Sequence, residues 1–233
     1  MPVISERIAA VRERMAAAAR RAGRDPGAIE LMAVSKTVSA ERIAEAWEAG
    51  TRLFGENRVQ EFEAKCPELR RLSGARFHLV GHLQRNKSSR AARLFQGIDT
   101  IDSWRIASAL NLDAAGRAPG KLPVLIEINV GGEAQKTGMA PDSPELEGIL
   151  TGAAKLANLQ IEGLMTVPPL TEDAKAARAF FRRLRTLRDE ISRRKLPEIR
   201  MDVLSMGMSH DFEAAIEEGA TRVRIGTAIF GAR

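Results

Sequence analysis

The residues best equipped for chemistry are one lysine near the start of the chain and two hydroxyl- and glycine-bearing segments near its end. Lys36 directly follows the apolar run "ELMAVS", so it stands at the carboxyl end of a predicted strand. A lysine there can form a Schiff base with a carbonyl compound when burial lowers its pKa enough to expose a neutral amine. The plain alternative is a solvated loop cation, the usual state of a lysine. The segments "LSMGMSHD" and "RIGTAIFG" supply Ser205, Ser209, Gly226 and Thr227, whose hydroxyls and backbone N–H groups lead into predicted helix N-termini, where anions bind favourably. Singly, Ser209 reads as a helix cap and Gly226 as a turn glycine. Both loops meeting in one place point to phosphate, and phosphate beside a reactive lysine makes a phosphorylated aldehyde the economical ligand.

Placing those residues on one surface requires a particular scaffold. After an opening helix over 5–22, the chain alternates apolar runs with amphipathic ones. The predicted strands are "IELMAVS", "RLFG", "RFHLVG", "GIDTID", "PVLIEINV", "LQIEGLM", "IRMDVLS" and "RVRIG". Between them fall helical stretches such as "SAERIAEAWEAG", with Ser39 as N-cap and Gly50 as stop, and "NRVQEFEAKC", ending at Cys66 before Pro67. Eight short strands alternating with helices predict an α/β fold, a single (β/α)8 barrel over residues 1–233 with an extra N-terminal helix; an open doubly wound sheet is the runner-up. In a barrel, the residues following each strand gather at one end. There stand Lys36, "GEN" (55–57), "GHLQRNK" (81–87), Asp102, "NVGGEAQKTGM" (129–139), "MTVPP" (165–169) and the two terminal segments.

Composition removes several function classes. The 233 residues suffice for one core, and no apolar run approaches membrane-spanning length, so a cytoplasmic protein with no membrane partner is expected. One cysteine excludes an internal disulfide and a Cys-based metal site, and the three histidines lack ligand spacing. The net charge of +6 permits attraction to phosphate without establishing nucleic-acid binding, and with 4% aromatics and no tyrosine a stacking platform for single strands is not expected. His78, between Phe77 and Leu79, reads as a core residue, and His82 at a strand end as the better site candidate. His210 reads as a contact to backbone or solvent, and the arginines of "RRLRTLRDEISRRK" as a solvated outer face.

The segments "AVSKTVSAERIAEAWEAGTRLFGENRVQE", "FHLVGHLQRNK", "INVGGEAQKTGM", "IEGLMTVPP" and "LSMGMSHDFEAAIEEGATRVRIGTAIFG" resemble the pyridoxal phosphate homeostasis protein family, relatives of the alanine racemase N-terminal barrel. The resemblance covers essentially the whole chain. It implies that pyridoxal 5′-phosphate (PLP) is carried as an internal aldimine on Lys36. By the same resemblance the phosphate is held by Ser205, the backbone at Met206, Gly226 and Thr227, with Arg224 near the pyridine nitrogen. Asn57, His82 and Met165 would line the ring pocket, although Met165 also reads as core filler. Lys136, in the Gly-rich loop, is a second lysine that the motif retains.

The resemblance further implies a role in intracellular PLP (vitamin B6) homeostasis, with PLP-dependent apoenzymes as recipients, a monomeric state and no catalytic residues. In the racemase relatives a tyrosine and an additional β-domain complete the site; this sequence has no tyrosine, and the additional domain is expected to be missing. An arginine beside the pyridine nitrogen presents only donors and stays protonated, which leaves that nitrogen unprotonated and the ring a weaker electron sink. The alternatives are a PLP-dependent amino-acid racemase or lyase, then a lysine-dependent sugar-phosphate aldolase, then a nucleic-acid binder.

Overall fold

The computed structural model describes residues 3–231 except 119, 134, 170, 172 and 173. Eight parallel strands close on themselves in chain order. They are β1 (Glu30–Val34), β2 (Leu53–Glu56), β3 (Arg76–Leu79), β4 (Gly97–Ile101), β5 (Leu122–Glu127), β6 (Leu159–Met165), β7 (Ile199–Ser205) and β8 (Arg222–Ile225). The helices are α1 (Ile4–Arg21), α2 (Ala40–Glu48), α3 (Val59–Leu69), α4 (Ser88–Leu94), α5 (Trp104–Asp113), α6 (Pro144–Gly152), α7 (Ala174–Arg193), α8 (Phe212–Glu217) and the single turn α9 (Thr227–Phe230). The barrel expectation therefore holds over the open sheet. Closure joins β8 to β1 through the register Met32 to Arg224 and Ala33 to Ile225. The end of the chain is thereby brought beside its beginning.

The extra helix α1 forms because Ile4, Ile8, Val11, Met15 and Ala18 recur at three- and four-residue spacing, and all of them are buried. Arg14 pairs with Glu213 at 3.0 Å and Arg21 with Glu217 at 2.8 Å, tying α1 to α8. The arginines expected on a solvated face of α7 are partly engaged. Arg182 and Arg185 reach the buried Glu218 at 3.0 and 3.5 Å, and Arg194 reaches Glu147 on α6. The run "EDAKAARAFFRRLRTLRDEISRRK" reads from its sequence as one long helix, and its first two residues, Glu172 and Asp173, lie outside the described residues.

One boundary and one cap differ from expectation. Helix α3 does not stop before Pro67 but runs on to Leu69. Proline removes one intrahelical donor, and burial of Leu69 beyond it offsets that loss. Ser39 occupies the N-cap position of α2, yet its side chain makes no capping bond, whereas Ser143 Oγ accepts Leu146 N–H at 3.2 Å on α6. Ser143→Ala is expected to lower stability by about 1 kcal/mol and Ser39→Ala by much less; urea midpoints of the two variants check the contrast.

The barrel interior is not filled by aliphatic layers alone. Arg222 on β8 reaches Asp99 on β4 at 3.2 Å. These strands are opposite in the closed order, so the pair must cross the lumen. His78 Nδ1 lies 2.8 Å from the other Asp99 oxygen, and Glu30 holds Arg222 from β1 at 2.9 Å. Gly97 makes room for His78, since a Cβ there would fall 2.4 Å from the imidazole ring. The expected core placement of His78 is thus observed, but as part of an ion network. Phe54, Phe77, Phe62 and Phe95 form a chain of ring contacts at 4.7–5.2 Å linking β2 and β3 to α3 and the end of α4, the first pair stacked and the other two tilted.

Candidate functional site

A cavity of about 340 Å³ opens at the carboxyl ends of the strands, straddling the β8–β1 seam. Its size is at the small end of the range for small-molecule sites. Lys36, Asn57, Arg224, Gly226 and Thr227 all line it, together with Val34, Val80, Val167, Met208, Ser209 and His210.

Lys36 reaches this rim on a tight turn. Val38 N–H donates to Ser35 O at 3.0 Å, which makes Lys36 and Thr37 the central residues of a four-residue turn. Thr37 has φ +62°, a left-handed conformation that turns usually give to glycine or asparagine. For a β-branched residue this is an outlier costing on the order of 1–3 kcal/mol, maintained only where surroundings enforce it. Here α3 does so. Glu61 accepts Thr37 N–H, and Lys65 Nζ lies 3.1 Å from Glu61, 3.1 Å from Ser35 O and 3.2 Å from Glu56. Ser35 Oγ donates to Glu56 at 2.6 Å. Burial raises the Glu56 carboxyl above its usual range, only partly countered by Ser35 and Lys65. Burial also works to raise Glu61, but Thr37 N–H and Lys65 outweigh it and hold that carboxylate low.

Arg224 comes from the interior face of β8, in register with Met32. Its guanidinium donates to Ser205 Oγ at 2.8 Å and to Thr166 O at 2.6 Å. Thr166 is itself fixed, its hydroxyl donating to Ile128 O at 2.6 Å and its N–H to Ser205 O at 3.2 Å. Burial pulls the Arg224 pKa down, partly countered by Asp99 and Glu127, yet an arginine remains a cation and a pure donor.

The two terminal loops meet directly. Ser209 Oγ accepts Ala228 N–H at 3.4 Å, joining the loop after β7 to the turn after β8. Ser209 is therefore not the cap of α8. That position belongs to Asp211, which accepts Met208 N–H at 2.6 Å.

The remaining sequence-derived candidates lie away from the cavity wall. Ser205 is fully buried beneath Arg224. Met206 is also fully buried, and its N–H donates to Arg222 O at 3.1 Å, so that amide serves the β7–β8 seam instead of facing the cavity. Met165 is buried in register with Ser205. His82 is half-exposed on the rim with Nδ1 2.9 Å from Asp102. Lys136 pairs with Glu133 at 2.5 Å.

Sequence reasoning passes over Val34 and Val80, and places Val167 and Met208 at this end only as parts of their segments. It also misses Glu127, a buried carboxylate whose Oε1 accepts the Thr137 hydroxyl at 2.7 Å while Oε2 has no partner among the described residues. Burial raises its pKa. Its position as the last residue of a strand in the middle of "LIEINV" is the available signal.

Residues 7–233 match the model of the alanine racemase N-terminal domain family. The pyridoxal phosphate homeostasis protein of Pseudomonas aeruginosa is 44% identical over 233 residues, covering all of this chain and 97% of that protein. That of Aquifex aeolicus is 42% identical, covering 98% and 97%. Among solved structures, PipY of Synechococcus elongatus PCC7942 with PLP bound is 37% identical at a TM-score of 0.83, over 98% of this chain and all of that one. Alanine racemase of Clostridium difficile, 17% identical at a TM-score of 0.68, shares the fold, and this chain covers 53% of its length. By its full-length likeness to these relatives, the chain belongs to the pyridoxal phosphate homeostasis protein family, within the alanine racemase N-terminal domain group.

Proposed function

We propose that this protein binds PLP in the seam cavity, with Lys36 as the covalent attachment point, and buffers or delivers the cofactor in the cytoplasm without a catalytic reaction of its own. The observation that carries the reading is the convergence of Lys36, Arg224, Ser209 and Thr227 on one small cavity. These residues fit the group chemically: a primary amine for an aldehyde, a buried donor for an unprotonated ring nitrogen, and hydroxyls with a glycine for a phosphate. When bound, PLP supplies an electrophilic carbon that exchanges between amines. The chain's own residues hold and orient. Gly226 and Thr227 would take the phosphate, with Ser209 fixing the two loops, and Ser205 and Thr166 hold Arg224, which would donate to the ring nitrogen.

Asn57 and the valines would border the ring, while His82, Met165 and Met206 support the site from outside its wall. Recipients would be PLP-dependent apoenzymes, approached by a monomer. Among the described residues no helix is long and apolar enough to cross a membrane. Absence of a reaction is supported by the lack of any tyrosine in the chain, the residue that serves as second base in the racemase relatives.

The test adds PLP to the purified protein, follows the visible band of the lysine linkage, then reduces with borohydride and maps the labelled peptide. Label on the peptide carrying Lys36, with no α-proton exchange from added amino acids, is the expected outcome. Absence of the band removes the PLP reading, and exchange at a turnover rate favours the racemase or lyase reading.

A further inference from the structure

Lys36 sits on an enforced conformation, and what enforces it lies outside the cavity. The lysine occupies the first central position of its turn and Thr37, at φ +62°, the second. A threonine has no intrinsic reason to stay there. Relaxation of Thr37 into an extended or right-handed conformation would rotate the preceding peptide and swing the Lys36 side chain off the rim. Two α3 side chains one helical turn apart oppose that relaxation. Glu61 accepts Thr37 N–H, and Lys65 bridges Glu61, Glu56 and the carbonyl of Ser35, so both ends of the lysine's turn are held by one charged group. Lys65 is itself mostly buried, with its side chain 14% exposed, and Glu56 is fully buried. An ion group placed this deep costs desolvation and is weak evidence for stability by itself. Its geometry, aimed at the backbone on either side of Lys36, supplies a different reason for its presence.

We infer that Glu61 and Lys65 are positioning residues that clamp the Ser35–Thr37 turn and thereby set how fast and how tightly Lys36 is loaded with PLP. The inference rests on the reading of Lys36 as the attachment point. Neither residue touches the cavity; they act through the backbone flanking Lys36.

The test follows the visible linkage band during PLP titration and after rapid mixing, with urea unfolding of each apoprotein measured alongside. Glu61→Ala, at the partly exposed end of the cluster, is expected to slow and weaken loading on the order of tenfold to a hundredfold, the scale set by misplacing a reacting group. Glu61→Gln keeps an oxygen for Thr37 N–H and should recover most of that loss. Lys65→Met should resemble Glu61→Ala. In a Thr37→Gly background, where a positive φ carries no steric cost, the loss caused by Glu61→Ala should shrink at least several-fold, although stability effects alone would add independently.

If wild type loads and Glu61→Ala loads equally well, the clamp is wrong while the PLP reading stands. The clamp is equally wrong if glycine at position 37 leaves the Glu61→Ala loss unchanged. If wild type forms no linkage, the PLP reading fails and the clamp with it.

Discussion

Lys36→Ala should abolish borohydride-trappable PLP while leaving the fold as stable as wild type, within about 0.5 kcal/mol, as for an exposed substitution away from packed features. Lys36 is exposed on the rim, so its side chain contributes little to the core, and truncation leaves Arg224, Ser209 and Thr227 in place. Non-covalent PLP binding is expected to persist with faster release, measurable by equilibrium dialysis against the free cofactor. Lys36→Arg separates charge from nucleophilicity. It keeps the cation but not a deprotonatable amine, so it too should show no trapped label. Label recovered at full yield from either variant would move the attachment elsewhere, with Lys136 the next residue to map.

The largest stability effect is expected at Asp99. Its carboxylate is buried and shared between His78 and Arg222 across the lumen. Asp99→Ala leaves the buried Arg222 held by Glu30 alone, and breaking one side of a buried pair costs about 3–5 kcal/mol. Burial by itself would raise the Asp99 pKa, but His78 and Arg222 outweigh it and hold it below the usual carboxylate range. A group depressed on folding contributes stability that is present above its unfolded pKa of about 3.9 and is lost as pH falls through its folded value. Wild type should therefore lose stability through this group below about pH 4, and Asp99→Ala should be weaker at neutral pH but lack that part of the acid slope. Urea melts at pH 7 and across the acid range decide it. A variant within about 1 kcal/mol of wild type at neutral pH would contradict the account.

Local pattern carries the scaffold further than it carries the site. A run such as "PVLIEINV" announces a strand because a parallel strand buried on both faces is near-continuously apolar, and Lys36, Gly226 and Thr227 stand out because strand ends in a barrel converge. Register is not legible. Whether the N–H of Met206 faces the cavity or β8 depends on how β7 is set against β8, and the structure commits it to Arg222 O. The Asp99–Arg222 pair joins strands distant in sequence, and no local periodicity encodes such a crossing. Ser209 reads from its neighbours as a cap, whereas its actual partner, Ala228, lies in the next βα unit. The turn strain at Thr37 is invisible for the same reason: an ordinary threonine gains its unusual conformation from Glu61, a helix away.

If PLP binds where proposed, the cavity's place on the junction of β8 and β1 makes the ligand a witness to completed assembly. Its two sides come from opposite ends of the polypeptide, so, with Lys36 as the proposed amine and Gly226 and Thr227 as the proposed anion cradle, no fragment lacking either end would offer both. Contacts this remote in sequence form late and slowly, and a small molecule bridging them acts as a rivet on the last joint to close. At a free concentration of about a hundred times Kd, such a rivet would add about 2.7 kcal/mol to the closed form. Partly made chains would then neither sequester the cofactor nor be protected by it, and loaded protein would be, by construction, protein that has finished folding.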